Sequence, residues 1–360
     1  MSDFGFSGPG DGTAALDEFT AAWKAEWLKR GYDFSDGPDP TSAVVFHFIN
    51  PDKPKPFRRR QRSTYVVAVH HLDSPPDDVL RNEYPILVRA LANIAMLIVP
   101  GDACYFVTPE QGNYSVPDPG NMDEWVKALF DRLEPLATSR LVIDNRFDTD
   151  LEPELWDGDE LTAQLHEAGR RLDNLGLLPA PFPLDQIVGP DDLRWIKLAY
   201  GIGGLSYGNM SVRKDAERFW MSASGVDKSD LREIGRDVLL VKDYDREAQA
   251  MVLSVPPGVE PRRVSVDAIE HFMIYREHPT VGAIVHVHAW ISDVTATEFN
   301  YPCGTRELAT AVSDIIREAP DPGRTIVGLK NHGLTITGPS LQEIFERIEP
   351  VIEVQVPMSA

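Results

Sequence analysis

Cysteine is nearly absent. The 360 residues hold two, Cys104 and Cys303, too few and too far apart to staple a chain of this size, so a disulfide framework is excluded and both are read as thiols. Uninterrupted apolar runs of membrane-spanning length are also missing, which leaves no predicted transmembrane helix. The opening MSDFGFSGPGDG has neither the basic start nor the apolar stretch of a secretory signal, and the expected location is cytoplasmic. Basic residues are scarce as well: 35 Lys and Arg stand against 56 Asp and Glu, a formal charge of −21 at pH 7. A field of that sign repels polyanions, so neither nucleic acid nor an anionic membrane is an expected partner. The one basic run, Arg58-Arg59-Arg60-Gln61-Arg62, reads as a solvated loop or edge. No solenoid repeat and no low-complexity tract is present.

What the chain does have is apolar residue enough, 42%, for two cores of ordinary size. The stretch LDNLGLLPAPFPLDQIVGPDDL, from Leu172 to Leu193, crowds prolines and glycines without period, the texture of a connection. The expected division is an α/β domain over 1–178, a linker over 179–192 and a second domain over 193–360. In the first, helices are predicted at Leu16 to Arg30, Val79 to Ala92, Met122 to Leu136 and Leu161 to Leu172. Strands are predicted at Val44 to Ile49, Tyr65 to His70, Ile94 to Val99, Cys104 to Val107 and Arg140 to Ile143. In the second, strands at Asn209 to Arg213, Phe219 to Ser222, Val238 to Val241, Gly282 to His288, Thr325 to Leu329 and Leu334 to Thr337 alternate with helices at Leu193 to Tyr200, Val266 to Glu277, Arg306 to Arg317 and Leu341 to Glu349. That alternation predicts an α/β sandwich.

The triplet His286-Val287-His288 and the later Asn331-His332-Gly333 carry the chemistry. On a strand, side chains i and i+2 leave the same face, so one cation can reach both imidazoles of the pair. A third histidine completes a three-nitrogen site that leaves a position open for water or substrate, as a catalytic metal needs. Upstream, the glycine-rich run Gly201 to Asn209 can turn backbone N–H groups toward an anion.

These pieces resemble the class II aldolase/adducin family. Its pattern runs here as Gly208-Asn209-Met210-Ser211-Val212-Arg213, Ser224-Gly225, Asp267, His286-Val287-His288 and Asn331-His332-Gly333, in that order and over residues 190 to 360. No resemblance is read in the first half. The resemblance implies a class II aldolase-like α/β/α sandwich forming a homotetramer, with a divalent metal on His286, His288 and His332. Zn2+ is the expected ion, with Mn2+, Fe2+ or Co2+ as alternatives. It further implies a lyase acting on a small, phosphorylated hydroxycarbonyl compound through a metal-stabilised enediolate. Epimerase, dehydratase and decarboxylase chemistry at the same metal, or a non-catalytic adducin-like interaction module, are the alternative expectations. Asn209, Ser224, Gly225 and Ser265 are implied as binders of the substrate's anionic group, with Ser211 a weaker candidate.

For proton transfer the family uses a glutamate, and counting back from His286 by the family's spacing lands on Asp267. The side chain is one methylene shorter, so its carboxylate falls back by about 1.5 Å, a displacement able to cost a hundredfold in rate. On a helix, Asp267, Glu270 and His271 stand at i, i+3 and i+4 and share a face, which makes Glu270 the alternative acid/base. His271 and His278 are expected to pack or cap. Lys228 and Lys330 read as exposed lysines near loops, with contact to an anionic group as the alternative, and Cys303 as small buried packing, although its place after the metal strand could bring it near the site. His70-His71 and Pro109-Glu110-Gln111-Gly112 have neither metal nor nucleotide spacing and receive no role.

Overall fold

The computed structural model describes residues 3–8, 13–35, 42–59, 61, 64–110, 112–178, 180–193 and 207–359. Two compact units emerge: 1–139 with 183–199 and 358–360, and 140–182 with 200–357.

The first unit is built on a seven-stranded sheet in the order β2-β1-β3-β4-β5-β6-β7. Its strands are β1 (Asp3–Ser7), β2 (Asp33–Ser35), β3 (Val44–Phe48), β4 (Tyr65–His71), β5 (Ile94–Val99), β6 (Ala103–Thr108) and β7 (Gly112–Pro117). The first five pair in parallel and the last two add antiparallel. Near-continuous apolar runs such as Ile94–Val99 are what a parallel strand covered on both faces requires. Helices α1 (Ala14–Lys29) and α3 (Met122–Thr138) lie on one face and α2 (Val79–Arg89) on the other. Trp23, Trp27, Phe46 and Phe130 meet edge to face under α1 and α3, with ring centroids 4.8–5.7 Å apart, a geometry worth more than the buried area alone. On the α2 face His70 and Glu83, both without exposure, share a 2.6 Å hydrogen bond.

The second unit holds a nine-stranded mixed sheet in the order β14-β15-β16-β13-β9-β10-β11-β12-β8. The strands are β8 (Asp144–Asp148), β9 (Asn209–Arg213), β10 (Phe219–Ser222), β11 (Val238–Asp245), β12 (Ala250–Ser254), β13 (Ala283–Val287), β14 (Thr295–Ala296), β15 (Ile326–Leu329) and β16 (Gly333–Gly338). Helices α4 (Glu160–Asn174) and α7 (Leu341–Ile348) cover one face, and α5 (Ala268–Glu277) and α6 (Arg306–Glu318) the other. Strand alternation fixes the division. Met210 of β9 faces Gly169 of α4, whereas its neighbour Ser211 bonds His271 and Tyr275 of α5. The fold is α/β throughout, with the expected α/β/α layering in this unit.

The expected domain boundary is corrected. Residues 140–178 belong to the second unit: β8 pairs in parallel with β12, and Leu151, Leu165, Ala168 and Leu172 lie in that sheet's core. The strand expected at Arg140 to Ile143 is displaced to Asp144–Asp148, with Leu141 making only an isolated bridge to Thr305. The expected linker is likewise not a free connection. Leu184–Ile187 forms a helical turn, and buried Asp192 accepts two hydrogen bonds from Arg89 at 2.5 and 3.0 Å within the first unit. The helix expected at Leu193 to Tyr200 and most of the glycine-rich run, 201–206, lie outside the described residues.

Candidate metal centre

Strand pairing brings the three histidines together. β13 and β16 run antiparallel with His286 opposite Thr335 and Val287 opposite Leu334. His288, one residue past the strand end, therefore comes abreast of Gly333 and its neighbour His332. The β15–β16 hairpin turns through Lys330, Asn331 and His332, with Asn331 at φ 56°, a left-handed backbone that asparagine tolerates better than most residues. Gly333 is required there, because a Cβ on it would stand 2.2 Å from Val287 O.

The result is a near-equilateral set of rings, with centroids 5.1, 4.8 and 4.8 Å apart. One nitrogen from each lies within 4.8 Å of the others, and His288 Nε2 is 3.2 Å from His332 Nε2. His286 donates Nδ1–H to Leu334 O at 3.0 Å, which leaves its Nε2 as the lone-pair side, buried and with no hydrogen-bond partner. A backbone acceptor fixing the far nitrogen is the usual way a protein orients an imidazole ligand. Tyr207 lies against His288 with centroids 4.7 Å apart. Burial lowers the proton affinity of all three rings. It takes His332 down to about 3, His288 well below its ordinary value with help from the neighbouring imidazoles, and His286 down against the opposing pull of Asp267. Three neutral imidazoles converging in a buried place, one with an orphaned nitrogen, suit a divalent cation of the zinc type.

Asp267 occupies the N-cap position of α5, where an aspartate normally accepts from its own helix. It makes no such bond. Instead Oδ2 accepts from Asn209 Nδ2 at 2.7 Å and lies 4.0 Å from His286 Nε2, while Oδ1 is buried without a partner. Glu270, a turn onward and 2% exposed, accepts from Thr335 Oγ1 at 2.6 Å. Its pKa is pushed up to about 8 by burial and then by the charge of Asp267, so the carboxyl carries its proton near neutrality.

The anion-binding candidates gather in the same corner. Gly225, at φ 69°, follows Ser224, whose N–H reaches Arg263 O, and Ser265 N–H reaches Ser222 O. The second of these segments leads directly to Asp267. Ser211 is not among them, because its hydroxyl lies 2.7 Å from His271 Nδ1 and 2.8 Å from the Tyr275 hydroxyl inside the core. His271, without exposure, packs as expected, and His278 caps α5. One reading is overturned: Lys228 is 2% exposed rather than a surface lysine, with its pKa lowered to about 8 by burial against the pull of Asp267 and Asp227. Cys303 approaches the cluster, its Sγ 3.4 Å from His332 Nε2. A lysine's burial is set by its neighbours in space, and nothing local to Lys228 signalled it. Tyr207 was missed for the same reason.

Residues 194–298 match the family model described as Class II Aldolase and Adducin N-terminal domain. Over those residues the chain is similar to that family. Members of this class II aldolase family typically depend on a divalent metal. Among curated proteins, the methylthioribulose-1-phosphate dehydratase of Pectobacterium carotovorum subsp. carotovorum (strain PC1) is 37% identical over 82 residues, covering 23% of this chain and 34% of its own. The protein of the same name from Leptospira biflexa serovar Patoc is 29% identical over 112 residues, 31% of this chain and 49% of its own. The chain thus spans less than half the length of these relatives. An L-fuculose 1-phosphate aldolase structure aligns with 53% of this chain and 81% of its own at 19% identity and a TM-score of 0.37. Among the described residues, no helix is long and apolar enough to cross a membrane.

Proposed function

We propose that the second unit is a metal-dependent lyase acting on a small phosphorylated hydroxycarbonyl compound, and that the reaction it performs is loss of water from a ketose phosphate. The observation that supports this is the buried convergence of His286, His288 and His332 beside the partnerless Oδ1 of Asp267. Dehydration is preferred over carbon–carbon cleavage because the relatives above carry a dehydratase name and because a protonated carboxyl lies next to the candidate base.

A divalent ion on the three imidazoles, zinc in this proposal, supplies Lewis acidity to the carbonyl and neighbouring hydroxyl oxygens of the substrate. The residues do the rest. Asn209 fixes one oxygen of Asp267 and leaves the other to take a proton from the substrate carbon. Glu270, holding its proton near pH 7, hands it to the departing hydroxyl. Two carboxyl groups whose surroundings separate their protonation states are what an acid and a base at one site require. Ser224, Gly225, Ser265 and Asn209 hold the anionic group, and the surrounding burial keeps water from the proton path. Assembly as a homotetramer belongs to the same proposal and is read by light scattering.

The test is to incubate zinc-loaded protein with methylthioribulose 1-phosphate and with shorter ketose phosphates, following products by mass spectrometry. A product lighter by one water supports dehydration. Two smaller carbonyl fragments establish aldol cleavage instead, an unchanged mass with inverted stereochemistry establishes epimerisation, and inertness toward every ketose phosphate favours an interaction module.

A further inference from the structure

His286 and His288 are held in place by different means. His286 gives its far N–H to the backbone at Leu334 O, the usual way of aiming an imidazole at a metal. His288 makes no such bond. Its Nε2 stands 3.2 Å from His332 Nε2, inside the cluster, while its Nδ1 is buried and has no hydrogen-bond partner among the described residues. A ring lies against it instead. Tyr207 and His288 have centroids 4.7 Å and planes 31° apart, whereas the three histidines meet one another edge to face at 69–79°. Behind Tyr207 comes Phe182, with centroids 5.9 Å and planes 38° apart. Phe182, Tyr207 and His288 thus form a column of tilted rings that ends on the metal cluster.

Strand register accounts for the column. β9 and β13 run antiparallel with Asn209 opposite His286. Continued past Gly208 and Val287, that register sets Tyr207 opposite His288, on the same face as the Asn209–His286 pair. Gly208 keeps the two chains close at this point: its φ is 75°, and a Cβ on it would stand 2.6 Å from His286 O. Phe182 is buried and comes from the proline-rich stretch expected to be a linker, and it belongs with Tyr207 to the second unit. The χ2 torsion of a histidine is intrinsically broad, so an imidazole without a hydrogen bond on its far nitrogen needs packing to fix its plane. A stacked aromatic ring supplies that constraint and contributes beyond its buried area.

We propose that Tyr207, braced by Phe182, is the positioning residue of His288, its ring doing for this ligand what the Leu334 carbonyl does for His286. The inference rests on the three-histidine metal reading above. An imidazole that gives its lone pair to a divalent cation becomes electron-poor, and the face of a phenol ring is electron-rich, so stack and metal favour each other. The aromatic face carries this role and the hydroxyl does not, which separates it from any hydrogen bond that Tyr207 makes.

The test uses the full chain beside Y207F, Y207A and F182A. Zn2+ affinity, read by chelator competition, is expected to fall about tenfold or more in Y207A, to fall less in F182A and to stay at the native value in Y207F. In metal-free protein, proton–carbon spectra of the imidazoles should show one ring, assigned by its loss in H288Q, displaced upfield by the face of Tyr207. That displacement should persist in Y207F and vanish in Y207A. Should Y207A fail to melt cooperatively, Y207L, which keeps bulk without an aromatic face, is read in its place with the same expected losses. Native zinc affinity in the folded variant that lacks the ring, an equal loss in Y207F, or an undisplaced His288 ring in the native protein overturns this proposal and leaves the three-histidine centre standing. Failure of the native protein to take up zinc overturns both.

Discussion

Asp267 shows how far a single residue can be displaced from its ordinary duty. An aspartate at a helix N-cap normally satisfies an orphan backbone donor, yet this one turns to Asn209 and leaves its second oxygen bare in a buried place. A position kept against local capping preference is expected to carry chemistry. D267N, nearly isosteric, should retain zinc content and melting temperature while kcat falls by about 10²–10⁴-fold; a loss of only a few-fold would transfer the role to Glu270. The neighbouring glutamate gives a pH-dependent counterpart. Its pKa rises from 4.5 unfolded to about 8 folded, so the native state retains a proton that the unfolded chain releases, and this group's contribution to stability is full below pH 4.5 and lost as pH rises toward 8. In metal-free protein, E270Q should therefore gain in melting temperature relative to the native chain between pH 5 and 8, and equal gains at both ends of that range would refute the assignment. The His-x-His pair and the later Asn-His-Gly were legible as candidates because their spacing is local information, Asp267 entered through the family resemblance, and the structure brings the three imidazoles and this carboxylate into one buried cluster. The burial of Lys228 depends on distant segments and was not legible.

At the scale of the element, legibility followed the number of faces buried. β5, apolar throughout, and β13, apolar but for His286, are buried along their whole length and were expected within one residue of their observed ends. β1, β2 and β8 carry Asp, Gly, Ser or Asn at half their positions or more. Such residues have low strand propensity, and pairing with the neighbouring strand makes them extended. β16 shows how such pairing sets function. Its first residue, Gly333, approaches Val287 O so closely that G333A must push β16 away from β13 or twist the hairpin that presents His332. The expected outcome is a coupled loss: lower melting temperature and a metal affinity reduced at least tenfold, measured by calorimetry and chelator competition. Retention of full zinc affinity would show that His332 is held by something other than this strand contact.

For the whole molecule the decisive feature is that domain and sequence order disagree. Prolines and glycines near Pro179 read as a boundary, but composition reports only where a chain bends, and the polypeptide had already entered the second unit at Arg140. β8 closes one edge of the nine-stranded sheet against β12, and α4 buries Leu165, Ala168 and Leu172 against its face, with Leu151 between them. Burying one large apolar side chain contributes about 1.5–3 kcal/mol, and a typical domain is stable by only about 5–15 kcal/mol. Removing three leucines and the strand beside them therefore takes away a large share of the net stability. It also uncovers the edge of β12 as a template for association. A chain starting at Arg140 is expected to melt cooperatively and bind one equivalent of zinc, whereas one starting at Leu193, the boundary suggested by composition, is expected to aggregate or melt without a transition. Circular dichroism melts and zinc titration of the two truncations decide the matter, since a cooperative, zinc-binding chain from Leu193 would mean that residues 140–182 decorate the second unit instead of completing its core.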